Sequence, residues 1–217
     1  MGSSEQSNRM EIINALLIAL VTLIGAYVAW RASVAGDNAG DANLDGLLAS
    51  RNYEETVALN HTQLYENYRA YTAYTRYNEL GNQIEQDLAD APADEVEALD
   101  RQMREAWDAG ESFYFPYEYL NRDGSYDTER ELGEALAEEA RQRDLNPQPH
   151  YEEADKMQAK SNWLIVIITV LALSLLCFSL VESLDRPALQ YALMSLGVII
   201  MLGSVAATIA VEYYLFV

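Results

Sequence analysis

Three blocks of the chain are apolar almost without interruption, and the long stretch between the first two is charged with apolar residues at helical intervals. The first block, Ile12 to Trp30, carries no charge and lies between Glu11 and Arg31. The second runs from Trp163 to Val181, and the third from Ala188 to Val211, with Gln190 as its amide and Glu212 closing it. Each supplies roughly 20 residues, which at ~1.5 Å per residue matches the ~30 Å hydrocarbon thickness of a bilayer. Tyr27 and Trp30, Trp163, and Tyr213 with Tyr214 stand at block ends, where interfacial anchors belong. Asp185, Arg186 and Pro187 form a tight hairpin, and Pro187 suits the first turn of the third helix. The pattern predicts a short tail 1–11, spans 12–30, 163–181 and 188–211, a soluble domain 31–162 and a closing tail 212–217. The first block is longer than a signal-peptide core and lacks its basic flank, so it is expected to stay as an anchor.

The soluble stretch reads as helices. From Leu47 to Leu88 there is no proline, and Val57, Leu64, Tyr68, Tyr71, Leu80, Ile84 and Leu88 recur at helical intervals, with Gly81 the weakest point. Pro92 breaks the pattern. Asp94 is placed to cap a shorter amphipathic helix carrying Val96, Leu99, Met103 and Trp107. Phe113 to Leu120 is too interrupted for a helix, and Asp123-Gly124 signals a turn, so an ordered aromatic loop is expected. Thr128 and Glu131 have capping-box spacing ahead of a stripe of Leu132, Leu136 and Ala140. After Pro147 and Pro149 nothing interrupts a helix from His150 into the second span. The fold class expected is all-α: three transmembrane helices plus an antiparallel helical bundle inserted between the first and second spans.

The net charge is −20, almost all of it within 31–162, where Lys156 and Lys160 are the only lysines. With no basic stripe to neutralise phosphates, nucleic acid is not an expected partner. The spans hold no Asp, Glu, Lys, Arg or His, which argues against a pump or coupled carrier. Cys177 is the single cysteine, so no disulfide can close within the chain. No P-loop, nucleophile elbow, zinc Cys pair or dinucleotide fingerprint occurs, His61 and His150 read as ordinary polar positions, and no enzyme is expected.

Three features invite a functional reading. Asp41, Asn43, Asp45 and Gly46 follow D-x-N-x-D-G, which resembles the opening of an EF-hand or dockerin calcium loop and implies oxygen ligands for Ca²⁺. Ala49 and Asn52 depart from that pattern at the ninth and twelfth positions, the latter where the bidentate carboxylate belongs. The competing reading is a small-residue stripe, Ala32, Gly36 and Gly40, on a helix continuing out of the membrane, joined by Ala15 and Ala19 on the first span and Gly203 and Ala207 on the third. The third feature is a tyrosine at every third position, Tyr65, Tyr68, Tyr71, Tyr74 and Tyr77. A step of three turns by 300°, so five of them drift round roughly 240° of a helix. Some should pack inward, and the rest, with Phe113, Tyr114, Phe115 and Tyr117, are expected to offer a protein-binding surface.

The run from Arg31 to Gly46 out of the first span and Ala154 to Trp163 into the second give the chain a layout that resembles uncharacterised bacterial membrane protein families with one amino-terminal span, a long helical insert and a closing transmembrane hairpin. The resemblance is architectural and implies no activity. The sequence thus predicts a non-enzymatic membrane scaffold or accessory subunit, seated in the lipid bilayer as a homo-oligomer or a member of a membrane complex. The alternative is a sensor or channel-like protein with calcium near Asp41 to Asp45. Counted over all span ends, Arg31, Lys156 and Lys160 outnumber Arg9 and Arg186 and favour a cytoplasmic domain. A loop of this length largely escapes that rule, however, and at the first span Arg9 with the amino terminus outnumbers Arg31, which predicts the soluble domain outside the cytoplasm.

Overall fold

The structure, a computed structural model, describes residues 2–184 and 186–215, with side chains from residue 10 onward. It is all-α. Helix α1 spans Gly2–Ala89, α2 Val96–Glu111, α3 Thr128–Gln142, α4 Gln148–Val181 and α5 Pro187–Ala210, with a 3₁₀ turn at Tyr117–Tyr119 and a π-helical turn at Val211–Leu215. The five prolines explain most of these limits. Pro92 follows α1, Pro116 precedes the 3₁₀ turn, Pro147 and Pro149 sit at the start of α4, and Pro187 opens α5, positions where a missing N–H removes no helical bond. With no proline before position 92, the first span and the tyrosine-bearing segment join in a single helix.

The chain divides into two compact units, 1–48 with 147–217, and 49–146. In the first, three helices are long and apolar enough to cross a membrane. Their shared core contains Val21, Val28, Ala32, Leu164, Ile167, Leu171, Phe178, Met201 and Val211. The outward faces stay apolar and exposed, with Leu23 at 69 % and Ile199 at 67 %. Residues 31–48 and 147–162 belong to this unit rather than to the acidic one because the helices keep packing beyond the apolar blocks. Ala32, Ala35 and Ala39 on α1 and Ala154 and Ser161 on α4 are all buried. A Cβ at Gly46 would come within 2.7 Å of the Tyr151 ring, so glycine is what lets that ring lie on α1.

The second unit holds the end of α1 together with α2, the aromatic loop and α3. Helix α2 begins at Val96 after Glu95, without a side-chain cap, so Asp94 does not play the capping part its position suggested. Met103 and Ala106 of α2 are buried. Gly81, a weak point by propensity alone, is a contact point: the Trp107 indole occupies the space where a side chain would be. Helix α3 is capped by Asp127, whose Oδ1 accepts from the Arg130 N–H at 3.0 Å, instead of by Thr128. Glu131 is thereby freed from the capping box and turns inward. It is buried, Leu132 and Leu136 are half-buried, and Ala140 is exposed, so the inward face of α3 is rotated from the expected stripe.

An alanine at Gly81 would place its Cβ well inside van der Waals contact distance of the Trp107 ring. Gly81→Ala is expected to lower the stability of the 49–146 unit by about 1–3 kcal/mol, as for other overpacked sites, despite the better helix propensity of alanine. Urea denaturation of the full-length protein in detergent, followed by tryptophan emission, checks this; an unchanged or raised midpoint refutes it.

Candidate functional site

The step-of-three tyrosine run has a geometric counterpart in the loop that follows α2. Moving three residues along a helix climbs ~4.5 Å and shifts ~60° round a cylinder of roughly 5 Å radius, a path of about 7 Å. Two residues of extended chain cover about 6.7 Å. Alternate residues of an extended segment running antiparallel to the helix therefore meet successive tyrosines. Phe113 stacks on Tyr77 at 5.8 Å between centroids. Phe115 lies edge-on to Tyr74 at 5.2 Å and to Tyr71 at 5.6 Å. Tyr126 then stacks on Tyr71 at 5.3 Å and meets Tyr68 edge-on at 6.3 Å. Phe115 is completely buried at the centre.

The loop keeps this course because it closes on itself. Asn121 N–H donates to the Ser125 carbonyl (2.8 Å), Gly124 N–H to the Asn121 carbonyl (3.0 Å), and Asp127 N–H to the Tyr119 carbonyl (2.8 Å). This is a short hairpin whose turn ends on Gly124 at φ +85°, the left-handed position that glycine takes without a steric penalty. Asp123 accepts from the backbone N–H and hydroxyl of Ser125, which hold its carboxyl below the usual carboxylate range. Tyr71 donates its hydroxyl to the Gly124 carbonyl at 2.8 Å, fastening the turn to α1. Beneath it the Tyr126 hydroxyl donates to Glu131 Oε2 at 2.8 Å, and Asn67 Nδ2 donates to Glu131 Oε1. A buried carboxylate with a donor on each oxygen links α1, the hairpin and α3. Arg130 stacks over Tyr119 and donates to the Glu118 carbonyl.

Four of the five run tyrosines, 68, 71, 74 and 77, thus have ring partners within the unit. Tyr65 is 68 % exposed and Tyr114 is 85 % exposed. Tyr117 touches Phe115 and Tyr74 yet remains half in solvent. Glu66, Arg69, Ala73, Arg76, Tyr77 and Phe113 are among the residues that line a shallow surface groove.

Asp41, Asn43 and Asp45 lie inside α1, with the backbone helical throughout. Alternate residues of a helix leave it 200° apart, and among the described residues no three His, Cys, Asp or Glu side chains converge on a metal position. Of the small residues expected at helix contacts, Gly36 sits 3.5 Å from Ser161 Oγ by its would-be Cβ, and Ala207 packs against the shared core. Ala15 and Ala19 are exposed, and Gly40 and Gly203 have open space where a side chain would be.

Four polar fastenings of the membrane-length unit have no counterpart in the sequence reading. Ser161 donates to the Ala32 carbonyl (2.9 Å) and Ser174 to the Gly197 carbonyl (2.8 Å). Glu212 accepts from Arg31 Nε and Nη2, each at 2.7 Å, and from Lys160 Nζ at 2.8 Å. Asn14, 1 % exposed, donates to the Phe178 carbonyl (3.0 Å) and Glu182 Oε1 (3.3 Å). The signals were present in principle: Asn14 is the one amide in the first apolar block, and Glu212 closes the third. No family model, curated protein or solved structure matches this chain.

Burial pushes the Tyr126 hydroxyl above its ordinary pKa, reinforced by its bond to Glu131. A folded pKa raised above the unfolded value of ~10 gives a stability contribution fully present below pH ~10 and lost as pH rises beyond it, because the unfolded chain ionises first. Tyr117 and Tyr119 are shifted the same way. Tyr126→Phe is expected to flatten, without abolishing, the fall in urea midpoint above pH ~10. An unchanged alkaline slope refutes this.

Proposed function

We propose that the chain is a multi-pass cell-membrane protein acting as a non-enzymatic scaffold or accessory subunit, assembling with further copies of itself or with other subunits. The observation that carries this reading lies beyond the first apolar block. Leu44, Leu47 and Leu48 are about half or more exposed on α1, and Leu44 stands ~21 Å along the helix axis past Trp30. Lipid does not account for leucines so far outside a span-length block, and water-exposed apolar clusters mark protein contacts. The buried polar side chains of the three-helix unit support the same reading, since Ser161, Ser174 and Asn14 all donate to backbone carbonyls of neighbouring helices and so serve packing. The exposed Tyr65 and Tyr114 of the acidic unit fit a second contact of the amphipathic kind.

Light scattering of the detergent-solubilised protein is expected to give a defined oligomer, reduced to the monomer mass by Leu44→Gln, Leu47→Gln and Leu48→Gln together. A strictly monomeric wild-type particle that captures no partner overturns the reading.

The same proposal takes the acidic unit to lie outside the cytoplasm, with Arg9 on the inner side of the first span. Tyr114→Cys, at the most exposed aromatic of the acidic unit, is expected to react with a membrane-impermeant maleimide in intact cells. Labelling only after the membrane is permeabilised reverses the orientation.

A further inference from the structure

Leu44 and Leu47, which their own unit leaves exposed, belong to a longer face of α1. Ala15, Ala19, Thr22, Ala26, Ala29 and Ser33 precede them on it at steps of four and three residues, and all six are exposed. Gly40 continues the row two turns on, with open space where a side chain would be. At roughly 100° per residue, Leu44 stands about 180° from Ala35, one of the alanines buried in the three-helix unit. This is the face that α1 turns away from its own unit. The Thr22 hydroxyl donates to the Ile18 carbonyl at 2.8 Å within the same helix, so it asks for no polar partner outside.

Small residues facing lipid are no interface by themselves. Here they keep register with two leucines that stand beyond the apolar block, where apolar exposure to water calls for a cover. We infer that this face packs against the same face of α1 in a second copy, the two helices running parallel out of the span. Two copies inserted in one membrane point the same way, so a two-fold axis along the membrane normal brings each residue of the face opposite its own counterpart. A cover for the whole face must be a helix that leaves the span unbroken and accompanies α1 from Ala15 to Leu47, ~48 Å. Helix α1 meets that requirement itself, being continuous over Gly2–Ala89. A strip ~48 Å long and ~10 Å wide covers roughly 480 Å² in projection on each copy, close to the ~1,000 Å² in total that a specific interface clears. Inside the span the small side chains let two backbones approach, and beyond it Leu44 and Leu47 leave water against their counterparts. Asp37, at the edge of the face, lies ~10 Å past Trp30, where solvent and salt screen a like-charged pair. The inference rests on the reading of the chain as a membrane scaffold and names its partner and its contact.

Disulfide crosslinking of the full-length Cys177→Ser protein in native membranes tests it, with one new cysteine at a time and copper phenanthroline as the oxidant. Ala26→Cys, Leu44→Cys and Leu47→Cys are each expected to give a covalent dimer on a non-reducing gel. Asn43→Cys and Asp45→Cys, exposed and about 100° round the helix from Leu44, are expected to stay monomeric. No dimer from the three face positions, or equal dimer from all five, overturns the inference. Where light scattering then still gives a defined oligomer, the scaffold reading stands and this contact falls; a monomer that captures no partner removes both.

Discussion

The three-helix unit depends on how closely its backbones approach. Helices that meet inside hydrocarbon gain little from leaving lipid, so association rests on van der Waals contact and on polar groups that reach a neighbour's main chain. Ser161 reaches the Ala32 carbonyl and Ser174 the Gly197 carbonyl, and a serine is too short to do either unless the facing residue is small. Alanine and glycine occupy those points. At Gly197 the constraint is doubly set, since any Cβ there would come within 2.7 Å of the Phe178 ring. Phe178 is fully buried, and its carbonyl accepts from Asn14. Close packing of α4 on α5 and the capture of α1 thus share one residue.

The same logic continues past the apolar blocks, where water restores the hydrophobic effect and alanines take over. The buried positions on α1 step from Val28 to Ala32, Ala35 and Ala39, by four, three and four residues, which holds a seam on one face of a straight helix. The ion pairs of Glu212 with Arg31 and Lys160 sit at the changeover between the two regimes. The Lys160 and Glu212 side chains are largely enclosed, so breaking the cluster from one side would leave a poorly solvated charge. That makes it a device for holding α1, α4 and the π-helical turn together.

How much of this was legible depends on whether the signal was periodic. The three apolar blocks, the helix breaks at Pro92 and Pro147, the aromatic loop and the Asp123-Gly124 turn follow from local chemistry, and the structure has them. Residues 31–48 and 147–162 lie outside the apolar blocks yet cluster with the three apolar helices. The small-residue stripe at Ala32 and Gly36 announces part of that packing, whereas the buried Ala35, Ala39 and Ala154 give no hydrophobicity peak. The capping of α3 went to Asp127 instead of Thr128 because two candidates one residue apart are separated only by where the next inward side chain must point. Glu131 had a buried destination, with Tyr126 and Asn67 as donors, that no local rule contains.

The tyrosine run shows what a period can and cannot say. Its spacing excludes a single straight seam, which the 240° drift already implied, but the drift fits two partners equally well: several different surfaces, or one segment that winds with it. The start of the loop, Phe113 to Phe115, winds with it, because an extended chain advances about as far in two residues as the tyrosine stripe does in three, and Tyr126 on the returning arm of the hairpin carries the row on to Tyr68. Phe113 and Phe115 supply that alternation, and Pro116 helps hold the chain out of a helix between them and the 3₁₀ turn. Most of the tyrosines are therefore spent on folding the acidic unit, in which few aliphatic side chains are buried. Tyrosine suits that role in a small, highly charged domain, since each ring brings a large apolar area while its hydroxyl can still reach a carbonyl or carboxylate. Tyr71 on Gly124 and Tyr126 on Glu131 do so here.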